Sequence, residues 1–199
     1  MTAGDLTIEP LDAQRWPDLC TLFGRGGANS GCWCLWWRLP ASQWSAGAGK
    51  AAHDPETGNE ARFERIVASG ETTGLLAYRA GVPVGWVAVA PRSAYPRILR
   101  SPTIAPLDPD EPGVWSVSCF FINRHHRGAG VAGDLLDAAV AFAAEHGATA
   151  VEGYPAETGG ARGASGDYFT GTVNQFARAG FAVQERAKPG KRIVMRRPL

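Results

Sequence analysis

From Val114 to Ile122 apolar and β-favouring residues run without interruption, the mark of a strand buried on both faces. After a basic, glycine-rich turn, Val131, Leu135, Ala138 and Phe142 recur at steps of four, three and four, which places them on one face of a helix. His146-Gly147 offers that helix a C-terminal stop, and Ala148 to Tyr154 reads as another strand. The centre of the chain is therefore a β-α-β unit with parallel strands.

Upstream, Leu6 to Ile8 reads as a first strand, and Asp12 could cap a helix running through Cys20 to Phe23. Asn59 to Ser69 has helical spacing, and Thr73 to Arg79 with Pro83 to Ala90 reads as a hairpin turning at Arg79-Ala-Gly81. A proline-rich connection from Pro91 to Gly113 is longer than most loops inside compact domains, and such loops are usually functional or mobile. Downstream, Thr172 to Ala179 predicts a short helix, and Phe181 to Glu185 and Arg192 to Arg196 two last strands. The order gives an α/β fold, a mixed sheet with helices on its faces, and 199 residues fit one domain spanning 1–199.

Composition narrows the function. Twenty basic against 19 acidic residues leave a formal charge of +1, which creates no field to gather nucleic acid. No apolar run is long enough to span a membrane and the N-terminus lacks a secretory pattern, so a cytoplasmic protein without a membrane partner is expected. Four cysteines are too few for a disulfide scaffold in a chain of this length, and reduced thiols are the default.

The stretch Ile122-Asn-Arg-His-His-Arg-Gly-Ala-Gly-Val-Ala-Gly133 joins the buried strand to the amphipathic helix. Small residues let a ligand approach the backbone, and the first turn of a helix carries N–H groups without intrahelical partners. With the helix dipole and Arg127 added, the turn predicts an anion site. A P-loop is excluded, because no lysine follows the glycines. Gly128, Gly130 and Gly133 do match the dinucleotide pattern G-x-G-x-x-G, with Glu152 at about the distance of a ribose-binding acid, so a nicotinamide oxidoreductase is one alternative. Against it, five residues separate strand from first glycine, and the unit follows a hairpin instead of opening the domain.

The stretch resembles the acyl-CoA signature of the GCN5-related N-acetyltransferases (GNAT), Q/R-x-x-G-x-G/A, with Arg127, Gly130 and Ala132 at its defining positions. The buried strand before it and the passage Phe176-Ala-Arg-Ala-Gly-Phe181 also match that family. The resemblance implies a mostly antiparallel sheet around the β-α-β unit with helices on both faces, acetyl-CoA as acyl donor, and direct transfer to an amine of a small-molecule acceptor. Carried over, the backbone of Phe120, Phe121 and Ile122 lines pantetheine, while Arg127 and the amides of Gly128, Ala129, Gly130, Val131, Ala132 and Gly133 hold pyrophosphate. A homodimer is compatible with this reading.

Many members carry a tyrosine four residues before the late Gly-Phe pair, which protonates the departing thiolate, and an asparagine seven residues earlier. Here those positions are Phe176 and Phe169, and phenyl rings donate no proton. Tyr168 and Tyr154 are the substitutes in reach, and Glu152, near the end of the strand flanking the cleft, is the expected base for the acceptor ammonium. The absence of the usual acid also motivates a second reading, an acyl-CoA-binding sensor or interaction module on the same fold. Cys32-Trp-Cys34 has neither the spacing nor the second ligand pair of a zinc site, so no metal is expected. Trp33, Trp36 and Trp37 in this cluster are expected to wall the acceptor side.

Overall fold

The computed structural model describes residues 5–156, 168–184 and 192–199. Its elements are β1 (Leu6–Pro10), α1 (Trp16–Phe23), α2 (Ala41–Ala46), α3 (Asn59–Ala68), β2 (Gly74–Arg79), β3 (Val82–Pro91), α4 (Pro96–Leu99), β4 (Val114–Ile122), α5 (Val131–Glu145), β5 (Ala150–Gly153), α6 (Val173–Arg178), β6 (Ala182–Val183) and β7 (Met195–Pro198). The strands form one sheet in the order β1-β2-β3-β4-β5-β7-β6. Only β4 and β5 run parallel; the remaining neighbours are antiparallel. That arrangement removes the dinucleotide-fold alternative, which needs a doubly wound parallel sheet.

Alternation along the strands sends side chains to two cores. Leu75, Val87 and Val117 meet Leu135, Leu136, Ala139 and Val140 of α5 on one face. Leu76, Trp86 and Ala88 meet Leu19, Leu22 and Phe23 of α1 and Phe63 and Val67 of α3 on the other. A third cluster, with Trp37, Tyr95, Ile98 and Tyr154, sits under the proline-rich connection. That connection contains α4, whose first residue is Pro96, a position where the missing N–H of proline costs nothing.

Two features of β4 prepare the site. Ala88 pairs with Cys119 while Val89 pairs with Val117, so Ser118 is an extra residue, a β-bulge that reverses the facing of the strand beyond it. The parallel pairing of β4 with β5 ends at Val117 and Gly153, and past that point the strands part.

Several predicted boundaries shift. The first helix begins at Trp16, because Asp12 accepts from the amide of Arg15 at 2.9 Å and caps the preceding turn instead. The last strand lies at Met195–Pro198, beyond the predicted Arg192 to Arg196, since it must reach along β5 as far as Ala150 opposite Pro198. The predicted strand from Phe181 shortens to Ala182–Val183, and residue 185 lies outside the described residues.

Candidate active site

The turn before α5 has the geometry its composition predicts. Gly128 and Gly130 take left-handed φ values of 76° and 84°, which side-chain-bearing residues rarely adopt. Gly130 is the N-cap of α5, and no side chain caps the helix. Gly133 and Asp134 both donate to the Gly130 carbonyl, at 2.8 and 3.2 Å. Among the described residues, no protein acceptor takes the amides of Gly128, Ala129, Gly130, Val131 or Ala132. Four of these residues, Gly128, Gly130, Val131 and Ala132, line a cavity of about 450 Å³ at the positive end of a 15-residue helix, together with Arg127, His126 and Arg178. Arg127 is anchored by its Nε–H to the carbonyl of Ile122 at 3.1 Å.

This cavity leads into a second of about 420 Å³ along the outer end of β4, the two sharing Ile122, Arg127, Ala132 and Gln175. A third, of about 280 Å³, continues from the second, sharing Ala28, Asn29, Phe120, Phe121 and Phe169. Together they make a continuous path from the basic turn, past the parting strands, to an aromatic chamber. Gln175 holds α6 to the start of α5 by donating to the Ala132 carbonyl at 2.8 Å. Gln175, Arg178, Asn29 and Arg192 line this path, and sequence reasoning did not single them out; polar residues in short elements carry no periodic signal.

The predicted catalytic residues separate. Tyr168 lines the middle cavity, beside Phe120 and Gln175. Tyr154 does not: it is fully buried, with its hydroxyl 2.8 Å from Ser116 Oγ and donating to Glu152 Oε2 at 3.2 Å. Burial, reinforced by the neighbouring Glu152, pushes its phenol well above the usual tyrosine range. Glu152 is 3% exposed, and its Oε1 accepts from Arg92 at 3.0 Å and from Arg196 at 3.4 Å. It lines a separate cavity with Arg92, Glu111 and Arg196 that shares no residue with the path from the turn. A carboxylate so enclosed is committed to its arginines, which corrects the expectation that it faces the cleft as a base.

Phe176 stands where the family tyrosine was sought. Its ring is fully buried, 5.0 Å from that of Phe181. A Cβ on Gly153 would lie 2.0 Å from it and one on Gly171 2.8 Å, so both glycines make room for the ring. The amide of Phe120, expected to face pantetheine, donates to the Phe169 carbonyl at 2.6 Å, which corrects the assumption that the whole edge of β4 awaits a ligand.

The tryptophans also separate. Trp33 is core, packed against Trp16 and Phe23 at 5.5 Å between ring centroids, and lines none of these cavities. Trp37 is buried in the third cluster, 6.5 Å from Phe169. Only Trp36 reaches the aromatic chamber, where Trp44 stands against it at 4.7 Å. Left-handed φ values at Trp33 (46°) and Cys34 (51°) fold the segment back so that Trp33 and Trp36 point to different cores. Cys32, Cys34 and Cys119 line the chamber as free thiols, and the described residues contain no cluster suited to a metal ion. No helix among them is long and apolar enough to cross a membrane.

Comparison with known proteins agrees with this geometry. A family model described as Acetyltransferase (GNAT) family matches residues 33–157. The fold is shared with a GCN5-related N-acetyltransferase from Kribbella flavida (22% identity, 98% of each chain, TM-score 0.54). It is shared with the PaiA N-acetyltransferase of Thermoplasma acidophilum in complex with coenzyme A (10% identity, 98% of this chain and 99% of that one, TM-score 0.55). A ribosomal-protein-alanine N-acetyltransferase from Brucella melitensis is also similar (16% identity, 97% and 99%, TM-score 0.55). No curated protein matches by sequence. With more than half of its length matched by the family model and the fold in agreement, the chain belongs to the GNAT family of acetyltransferases.

Proposed function

We propose that this protein, as a single domain, moves an acetyl group from acetyl-CoA to the amine of a small molecule, by direct attack within a ternary complex. One observation carries the reading: four amides without a protein acceptor among the described residues, and two arginines, line a cavity that leads along β4 towards an aromatic chamber. A diphosphate fits the first cavity, since the amides of Gly128, Gly130, Val131 and Ala132 are placed to donate and Arg127 and Arg178 supply charge. The middle cavity, bounded by Phe121, Ile122, Ala132 and Thr172, suits an extended pantetheine arm.

When bound, acetyl-CoA would supply an electrophilic thioester carbonyl to the acceptor. Tyr168 is the tyrosine lining the middle cavity, whereas Tyr78, Tyr95 and Tyr154 are buried elsewhere, so it is the candidate donor to the leaving sulfur. We assign to water the proton lost by the acceptor, since the chamber's described lining residues include no carboxylate or imidazole. The aromatic walls of the chamber and its volume of about 280 Å³ support a small acceptor.

The phenylalanines at positions 169 and 176 support a second reading, an acyl-CoA-binding module without turnover. Thiol release from acetyl-CoA with a panel of amines decides between them. The transferase releases CoA with some acceptors and not without them; a binder releases none.

A further inference from the structure

Two of the chamber's thiols touch. Cys34 comes from the segment after α1 and Cys119 from β4, 85 positions apart in the chain, yet the S–H of Cys34 donates to Cys119 Sγ with the sulfurs 3.5 Å apart. To reach a bonding distance of about 2 Å the two sulfurs need close by only about 1.5 Å.

Both sulfurs are held in this arrangement. The indole N–H of Trp86 donates to Cys34 Sγ at 3.2 Å, and Cys34 reaches the spot on a left-handed backbone, φ 51°, that side-chain-bearing residues rarely adopt. Cys119 is fixed by the pairing of β4 with β3, where it stands opposite Ala88 beside the bulge. Both cysteines also line the chamber, so they are not sealed in the core: Asn29 and Ser30 at its rim are exposed, and its volume of about 280 Å³ admits a molecule of a few atoms.

We infer that Cys34 and Cys119 form a site of oxidative modification, a thiol pair that a small peroxide entering the aromatic chamber converts to a disulfide. The contact with Cys34, followed by burial, holds the Cys119 thiol well above the ordinary cysteine range, which leaves Cys34 to react first. Its sulfur attacks one peroxide oxygen, the O–O bond breaks, water departs and a sulfenic acid remains. The Cys119 sulfur then attacks the Cys34 sulfur, the S–O bond breaks, and the Cys119 proton leaves with the hydroxyl as a second water. The two thiols lose two electrons in all and one peroxide is reduced to two waters. The new bond ties the segment carrying Trp36 to the strand carrying Phe120, so it acts on the wall of the chamber. The assignment stands apart from the acetyl-transfer reading and is tested without turnover.

The unaltered protein is exposed to hydrogen peroxide well past the point at which glutathione in a parallel tube is fully oxidised, then blocked with iodoacetamide in guanidinium and mapped without reduction. A linked peptide pair containing Cys34 and Cys119 is expected, with only Cys20 and Cys32 of the four cysteines alkylated and the link reversed by dithiothreitol. Because the bond closes a long loop, the urea midpoint should rise by roughly 1 M or more on oxidation, whereas a Cys32–Cys34 link would close almost nothing. Cys32→Ser should keep both the link and the rise, and Cys119→Ser should lose both. Should Cys119→Ser not fold, the map of the unaltered protein still decides. Four alkylated cysteines after peroxide, a Cys32–Cys34 link, or sulfinic acid at Cys34 without a cross-link would overturn the inference.

Discussion

Glu152 and Arg92, 60 positions apart in the chain, form an ion pair of 3.0 Å in which each side chain is only 3% exposed. Arg92 also donates to the carbonyls of Asp108 and Glu111, so this pair ties β5 to the proline-rich connection and to the end of β3. Removing one partner of a buried pair leaves the other charge uncompensated. Glu152→Ala should therefore cost about 3–5 kcal/mol of stability. Glu152→Gln keeps the shape and should leave the pH profile of acetyl transfer unchanged. Urea unfolding measures the first, and a flattened pH–rate profile in the second variant would restore Glu152 as the base.

The donor site is tested at Gly133, the third residue of α5. Its backbone is not left-handed, and a Cβ there would meet nothing within 4 Å. Glutamate is favourable in the first turn of a helix, so Gly133→Glu should fold normally. Its carboxylate would oppose a diphosphate in the adjoining cavity, weakening CoA at least about tenfold. Calorimetric titration with CoA checks this, and unchanged affinity in the folded variant would remove the site.

Tyr168→Phe should lower kcat by about tenfold or more with little change in KM for acetyl-CoA, as expected of a general acid with a fair leaving group. Tyr154→Phe, buried behind β4, should leave kcat within about twofold while costing about 1 kcal/mol of stability through its lost hydrogen bonds. Steady-state kinetics of the two variants, compared side by side, separates the tyrosines.

The thiols should be sluggish. Burial is the main cause that pushes Cys20 and Cys32 up to about 11, aided at Cys20 by Glu60 and Glu64 and at Cys32 by Cys34. At pH 8 such groups hold on the order of a hundredfold less thiolate than an ordinary cysteine. Iodoacetamide should label Cys20 and Cys32 slowly in the native protein and quickly in guanidinium, as peptide mass mapping would show.

His53 bridges the Arg25 carbonyl and Glu60, at the start of α3. The carbonyl, followed by Glu60, raises its pKa above the usual 6.5. A raised folded-state pKa gives stability that is fully present below the unfolded value and lost as pH rises through the folded one. Denaturant midpoints should therefore fall slightly from pH 6 to pH 8.5, the exposure of the pair keeping the effect small. His53→Gln should remove that slope.

The sequence by itself determined the β4–turn–α5 unit and the glycine-rich start of its helix. The apolar run, the helical period and the glycines are local signals, and an uncapped helix start follows directly from the absence of a capping side chain at Gly130. Only the tertiary structure decided the roles of single polar and aromatic residues. Glu152 appeared cleft-facing from its place on a strand, but Arg92 and Arg196 enclose it. Trp33 and Trp36 read as one cluster until left-handed turns sent them to different cores. Arg192 drew no notice in the sequence, and it is the closure of the sheet that brings it over Phe169. Periodicity reports which face of an element is apolar, whereas pairing depends on distances between residues far apart in the chain, and those exist only once the sheet has formed.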